Sequence, residues 1–338
     1  MTLSRIPKAA LFRARRVLGA VARESGTEID RLRHRRRGGA DVALFHQFAP
    51  PPGGGGHQFL RALVSELRRR GLVVEVNRIS GRTPTCFFNS FNFDFRRLHR
   101  FARDDCRMVH RVDGPIGVYR GFDDGTDARI RAINSELAHA TVFQSRFSLE
   151  AHRELGIELE KPEIISNTVD PAIFRPPSTR EPVHGRKVRL IATSWSDNPN
   201  KGADVFTWLD ENLDWDRFEL TFVGRAPRPF SRIRTVGALP STSLADELRA
   251  HDVYMAPSRN DPCSNALLEA LACGLPAVYR SSGGHPELVG DAGVPFEVPE
   301  ELPGALDALL GELDERRAAI QVPALTDIAD RYLEVLRG

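Results

Sequence analysis

The chain has 338 residues, 41% hydrophobic and 27% charged, which suffices for two buried cores and excludes collagen-like, disulfide-framed and wholly disordered classes. No run approaches the ~20 apolar residues of a spanning helix, which excludes a polytopic membrane protein. The formal net charge is +2, but residues 1–38 hold eleven Arg or Lys against Glu24, Glu28 and Asp30, so that segment is +8, the rest is −6, and the balance argues against a nucleic-acid binder.

The first segment predicts a helix from about Pro7 to Arg23, with Ala10, Ala14, Val17, Leu18 and Val21 on one face and arginines elsewhere. Such a basic amphipathic stretch suits an anionic membrane surface, and equally a solvated arm or a helix packed on its own protein, and its arginines interrupt any signal-peptide core. Arg31–Arg37 and Gly38-Gly39 read as a basic linker, so residues 1–39 form an extension. The four cysteines, Cys86, Cys106, Cys263 and Cys273, form no CxxC pair and fit a reducing compartment. The expectation is a cytoplasmic protein, with peripheral association to the inner face of the membrane through residues 1–38 as one reading of the extension.

From Ala40 the pattern is strand, Gly-rich turn, helix, strand. Asp41–His46 is a nearly continuous apolar run, Gly53–Gly56 a turn, and Phe59, Leu60, Leu63, Val64 and Leu67 share a helical face before the strand Leu72–Val76. Further strands are expected at Cys106–His110, Thr141–Gln144 and near Glu163–Ser166. The aromatic stretch Phe87–Phe93 reads equally as a groove lining or as buried packing. Asp123-Asp124-Gly125 reads as a polar turn rather than a metal site, and the histidines show no metal-ligand spacing.

Prolines and polar residues at Asp170-Pro171 and Arg175–Thr179 mark a boundary. The alternation then restarts: strands at Val188–Ala192, Phe218–Gly224, Val253–Ala256 and Pro276–Tyr279, with helices at Ala203–Leu209, Leu244–Ala250 and Asn265–Ala272. A last amphipathic stretch holds Ile328, Tyr332, Val335 and Leu336. The fold class is α/β: two Rossmann-like doubly wound domains, 40–177 and 178–322, facing across a cleft, with 323–338 a helix packing back on the first domain.

The segment Ser258–Pro276 carries the most chemistry. Ser264 or Asn265 caps a helix whose free N–H groups make an anion site. Glu269 sits about one turn inside, where a carboxylate can accept two hydrogen bonds from a diol, and Asp261 precedes the helix.

This segment resembles the C-terminal signature of GT-B-fold retaining glycosyltransferases of family four, the glycosyl transferases group 1. Asp261, seven residues, Glu269 and then Ala270-Leu271-Ala272-Cys273-Gly274-Leu275-Pro276 follow that family's pattern, although its first acid is usually Glu. The resemblance implies that Glu269 holds the ribose of a nucleoside-diphosphate sugar and Asp261 the hydroxyls of the donor sugar. The diphosphate would meet the helix start from Ser264 and Asn265 to the amides near Ala266 and Leu267, with Lys201 of Asn200-Lys201-Gly202 neutralising it. The Arg that usually precedes that lysine aligns with Trp195, leaving Arg225 as a substitute. The resemblance further places Gly53 and Gly54 beside donor or acceptor, Gly237 and Leu244 at the base, His110 against the donor sugar, and Gly283–Glu287 near the donor. The first domain would take the acceptor (a glycan, a lipid-linked or another hydroxyl compound) and the second the donor, in polysaccharide or cell-envelope glycan synthesis. No cofactor or metal is expected, since the leaving phosphate oxygen takes the acceptor proton in same-face attack. Two other readings share the fold: a sugar- or nucleotide-binding protein without transfer, motivated by Asp261 and Trp195, and a sugar-nucleotide epimerase.

Overall fold

The computed structural model describes residues 39–48, 55–195 and 198–338. The basic stretch 1–38 and the glycines Gly53 and Gly54 lie outside the described residues.

Strand β1 (Val42–Phe45) is buried at every position, which is why it reads as an unbroken apolar run. It leads to α1 (Gly55–Arg69), whose Phe59, Leu60, Leu63 and Leu67 face the core, and then to β2 (Val74–Val76). The first half continues through β3 (Thr85–Asn89), α2 (Phe95–Phe101), β4 (Arg107–Val112), α3 (Ile116–Arg120), α4 (Thr126–Leu137), β5 (Ala140–Phe143), α5 (Arg146–Glu154) and β6 (Pro162–Ile164). Its six strands are all parallel, in the order β2-β1-β3-β4-β5-β6.

After a linker the second half runs β7 (Val188–Ser194), α6 (Ala203–Asn212), β8 (Phe218–Gly224), β9 (Arg234–Val236), α7 (Ser241–Arg249), β10 (Val253–Ala256), α8 (Asn265–Ala272), β11 (Ala277–Arg280), α9 (His285–Val289), β12 (Gly293–Phe296), α10 (Leu302–Gly311) and α11 (Leu313–Ala318). These strands too are all parallel, in the order β12-β11-β10-β7-β8-β9. In each sheet the order reverses beside the half's first strand, between β1 and β3 and between β7 and β10. Consecutive connections leave opposite faces there, which opens a crevice at the carboxyl ends of the strands.

The aromatic stretch left open by the sequence does both things. Phe87 and Phe88 alternate in β3 into the cores on its two faces, while Phe91, just beyond the strand, lines the cleft. The final helix, α12 (Leu325–Arg337), returns to the first half. Its Tyr332 ring is fully buried, 6.1 Å from Phe59 and 5.9 Å from Phe87. The crossing chain is pinned where Thr168 Oγ1 donates to Pro323 O at 2.5 Å. No helix among the described residues is long and apolar enough to cross a membrane.

Candidate functional site

A cleft of about 360 Å³ lies between the halves, lined by the segments that follow β3, β4, β7 and β10 and by the start of α8. Lys201 enters it from a short 3₁₀ turn, Pro199–Lys201. The next residue, Gly202, has φ 86°, and a Cβ there would stand 2.5 Å from Pro257 Cγ, so only glycine lets the turn lie against the loop after β10. Lys201 Nζ donates to Asp261 Oδ2 at 2.6 Å and stands 5.2 Å above the Tyr119 ring. Burial disfavours the ammonium charge, but Asp261 and Tyr119 more than offset it, and the lysine titrates above its ordinary value.

Asp261 is 5% exposed, and both its oxygens are engaged: Oδ2 by Lys201, Oδ1 by the Cys263 N–H at 3.2 Å. Burial, the largest single influence, pushes its carboxyl up, but the Lys201 charge and hydrogen bond, the His285 charge and the Cys263 N–H together outweigh it, and the net shift is downward. Its backbone oxygen accepts the Gly284 N–H at 2.8 Å, which seats the Gly283-Gly284 loop against the acid.

Glu269 is 7% exposed and lines both the cleft and a smaller cavity of about 190 Å³ behind it. Among the described residues its carboxylate has no hydrogen-bond donor, and burial pushes it up to about 8. Ser264 caps α8, and Ser264, Asn265 and Ala266 line the cleft. Leu267 does not serve as expected: its side chain is fully buried and its N–H is committed to Ser264 Oγ at 3.4 Å, the usual use of an N2–N3 amide at a serine cap.

Three other expectations are corrected. His110 does not line the cleft; it is sealed in β4, stacked on Phe88 at 4.3 Å between ring centroids, with Nε2 on Ser90 O at 3.0 Å and Nδ1 on the Asn134 amide at 3.1 Å. Burial pushes it down to about 3, so it is a neutral core histidine. Arg225 is exposed and absent from the lining, its backbone N–H held by Ser194 O at 2.9 Å. Gly237 is exposed and off the cleft, where Leu239, Ser241 and Leu244 of the same segment stand instead. Trp195 lines the cleft.

Sequence reasoning passed over four residues of the first half. Asp113, Tyr119, Arg120 and Gln144 all line the cleft, and Asp113 follows β4 directly. The signal was available, since ligands gather at the carboxyl ends of parallel strands and Asp113-Gly114-Pro115 ends one. Behind Asp113, Arg111 is 1% exposed; it donates to the side-chain oxygens of Asn89 and, at 2.6 Å, Asn167, and packs 5.1 Å from the Phe59 ring. Asn167 Nδ2 in turn donates to Asn265 Oδ1 at 3.1 Å, joining this network to the start of α8.

Two clasps cross the cleft. Asn198 and Asn200 each donate from Nδ2 to Tyr119 O at 2.9 Å. The Glu287 carboxylate accepts the N–H groups of Arg146 and Phe147, both at 2.8 Å, at the positive end of α5.

Residues 189–312, the span that holds Lys201, Asp261 and Glu269, match the family described as "Glycosyl transferases group 1". This span is a glycosyl transferases group 1 domain. It is similar to D-inositol 3-phosphate glycosyltransferase of Corynebacterium glutamicum, at 25% identity over 192 residues covering 52% of this chain. The chain spans 41% of that relative's length. The fold of both halves is similar to Anabaena Alr3699/HepE in complex with UDP-glucose, with TM-score 0.63, 16% identity and coverage of 88% of this chain and 98% of that one. It is also similar to the catalytic domain of starch synthase IV from Arabidopsis thaliana bound to ADP and acarbose, with TM-score 0.65, 11% identity and coverage of 89% and 99%. The group 1 domain and the half that faces it thus make up a GT-B fold.

Proposed function

We propose that this protein is a retaining glycosyltransferase that moves a sugar from a nucleoside diphosphate to an acceptor hydroxyl. One observation carries the reading: Lys201, Asp261 and Glu269 converge around the start of α8 inside the cleft between two facing parallel sheets. Departure of a nucleoside diphosphate develops negative charge, and Lys201 with the start of α8 is aimed at where it would lie. Glu269 takes the ribose hydroxyls and Asp261 the donor sugar. As the bond from the anomeric carbon to the phosphate oxygen breaks, its electron pair leaves with the diphosphate. The acceptor oxygen bonds to that carbon on the same face, and its proton passes to the leaving oxygen. In this reading Lys201 and α8, rather than a metal ion, meet the charge. Closure of the halves keeps water from the donor. The neighbours crystallised with UDP-glucose and with ADP and acarbose support a nucleotide sugar as donor and a glycan as acceptor. Residues 1–38, at +8, would bring the enzyme to an anionic membrane surface for cell-envelope or polysaccharide synthesis.

Calorimetric titration with UDP, GDP and ADP, together with turnover of a panel of nucleotide sugars, tests the assignment. Glu269→Ala should weaken nucleotide binding at least tenfold. Lys201→Ala should lower kcat by about 10²–10³, the loss expected when one electrostatic stabiliser of a leaving group is removed. Unchanged nucleotide affinity in the first variant removes the ribose role, and no turnover of any donor removes the transferase reading.

A further inference from the structure

Among the described residues the first half brings one carboxylate into the cleft, and its two oxygens are not equivalent. Asp113 is the residue after β4, its side chain one-third exposed. Oδ1 accepts from Arg111 at 3.3 Å and from Gln144 Nε2, and the backbone oxygen accepts from Ser148 Oγ at 3.0 Å. Gln144 is itself oriented: its Nε2 donates also to Val112 O at 3.2 Å, while its Oε1 accepts from Asn167 at 2.8 Å. Asp113 is therefore fixed from β4, β5 and α5 at once. Its neighbour Gly114 lies against Pro262, where a Cβ on the glycine would come within 3.2 Å of the proline ring, so Asp113 faces the loop that carries Asp261.

Oδ2 of Asp113 has no partner among the described residues, while both oxygens of Asp261 are engaged and Glu269 belongs to the second half. An ionised carboxylate oxygen can only accept a hydrogen bond. Resting on the transferase reading above, we infer that Asp113 Oδ2 binds the acceptor by accepting a hydrogen bond from one of its hydroxyls. That hydroxyl keeps its proton and is distinct from the one that attacks, so the acceptor is a polyol presenting at least two hydroxyls, a sugar rather than a simple alcohol.

The same geometry supplies a discriminating variant. Arg111 and Gln144 both donate at the Oδ1 position and demand an oxygen there. In Asp113→Asn the amide oxygen satisfies them and the NH2 group points into the cleft, replacing an acceptor by a donor with little change of shape. A merely structural Asp113 tolerates that exchange; an acceptor-binding one does not. The experiment measures initial rates with whichever nucleotide sugar the protein hydrolyses and a panel of p-nitrophenyl glycosides as acceptors, for the wild type, Asp113→Asn and Asp113→Ala. Both variants should raise the glycoside KM about tenfold to a hundredfold, the loss expected for a hydrogen bond to a charged group, while donor KM and donor hydrolysis stay within twofold. Asp113→Asn with an unchanged glycoside KM overturns the inference, as does a parallel rise in donor KM. Wild-type hydrolysis of a donor without transfer to any glycoside overturns the sugar-acceptor inference alone, whereas no donor turnover at all overturns the transferase reading with it.

Discussion

Glu269 shows how burial moves the ionisation of an ordinary acid into the neutral range. It sits one turn into α8, 7% exposed, pushed up to about 8 by desolvation alone. Its folded value lies above its unfolded one, so the folded state holds the extra proton and stability falls as pH rises from about 4.5 towards 8. At about 1.4 kcal/mol per unit the cost at pH 9 reaches a few kcal/mol, and the neutral isostere avoids it. Glu269→Gln should therefore melt with the wild type at pH 4 and several degrees above it at pH 9, by differential scanning calorimetry. If Glu269 takes the ribose as proposed, nucleotide binding should have the opposite slope, because a diol donates best to the ionised carboxylate: affinity for UDP should rise between pH 6 and 8.5 in the wild type and stay flat in Glu269→Gln. At this scale the sequence pattern indicated Asp261, Glu269 and Lys201, because each sits in a short contiguous motif. It misassigned His110, since whether a strand-borne histidine faces a cleft or Phe88 depends on the sheet's neighbours, which lie far away in the chain.

Short elements set the position of these groups to within a hydrogen bond's length. Lys201 is delivered by a 3₁₀ turn of three residues that ends on Gly202 in the left-handed region, packed on Pro257. Any side chain at 202 meets both the φ penalty and the proline. Gly202→Ala should cost about 2 kcal/mol or more in urea unfolding, and should lower kcat by displacing Lys201 from Asp261. The acid-rich turn at Asp123-Asp124-Gly125 is what its residues suggested: Asp123 Oδ1 accepts the Gly125 N–H at 2.9 Å and Asp124 Oδ1 the Thr126 N–H at 3.1 Å, leading into α4. Helices and strands with a continuous apolar run or clear periodicity, such as β8, β10 and α8, were legible with their boundaries. Strand β3 was not, because Phe87–Phe93 carries aromatic residues through a strand, a turn and a cleft wall without a change of pattern.

For the whole molecule, the relation between the halves is held by few bonds. Glu287 grips the start of α5, and the Asn198 and Asn200 amides share Tyr119 O, all at the cleft rim. These are polar, accessible contacts of the kind that permits relative motion of domains. Combining Glu287→Ala with Asn200→Ala should enlarge the radius of gyration of the free protein in small-angle X-ray scattering, with added nucleotide restoring the smaller value. An unchanged radius would mean that the linker, α12 and the remaining bonds between the halves, Asn167 to Asn265 and Asn260 to Val118 O, suffice to hold them together. The return of α12 is a strong second tie, since Tyr332 is buried between Phe59 and Phe87 in the first half's core.

The strand–helix alternation of each half, strands β1, β8 and β10 and the capped start of α8 followed from the sequence alone, because each depends on residues within about one helical turn or one strand of each other. The tertiary structure decided what no local pattern encodes: which strand ends face one another. That choice buried His110, left Arg225 and Gly237 out of the cleft lining, and brought Asp113 opposite the Asp261 loop. The physical reason is that a parallel sheet fixes the direction of each strand end only after all its neighbours are paired, so a group's exposure at the cleft is a property of the assembled sheet.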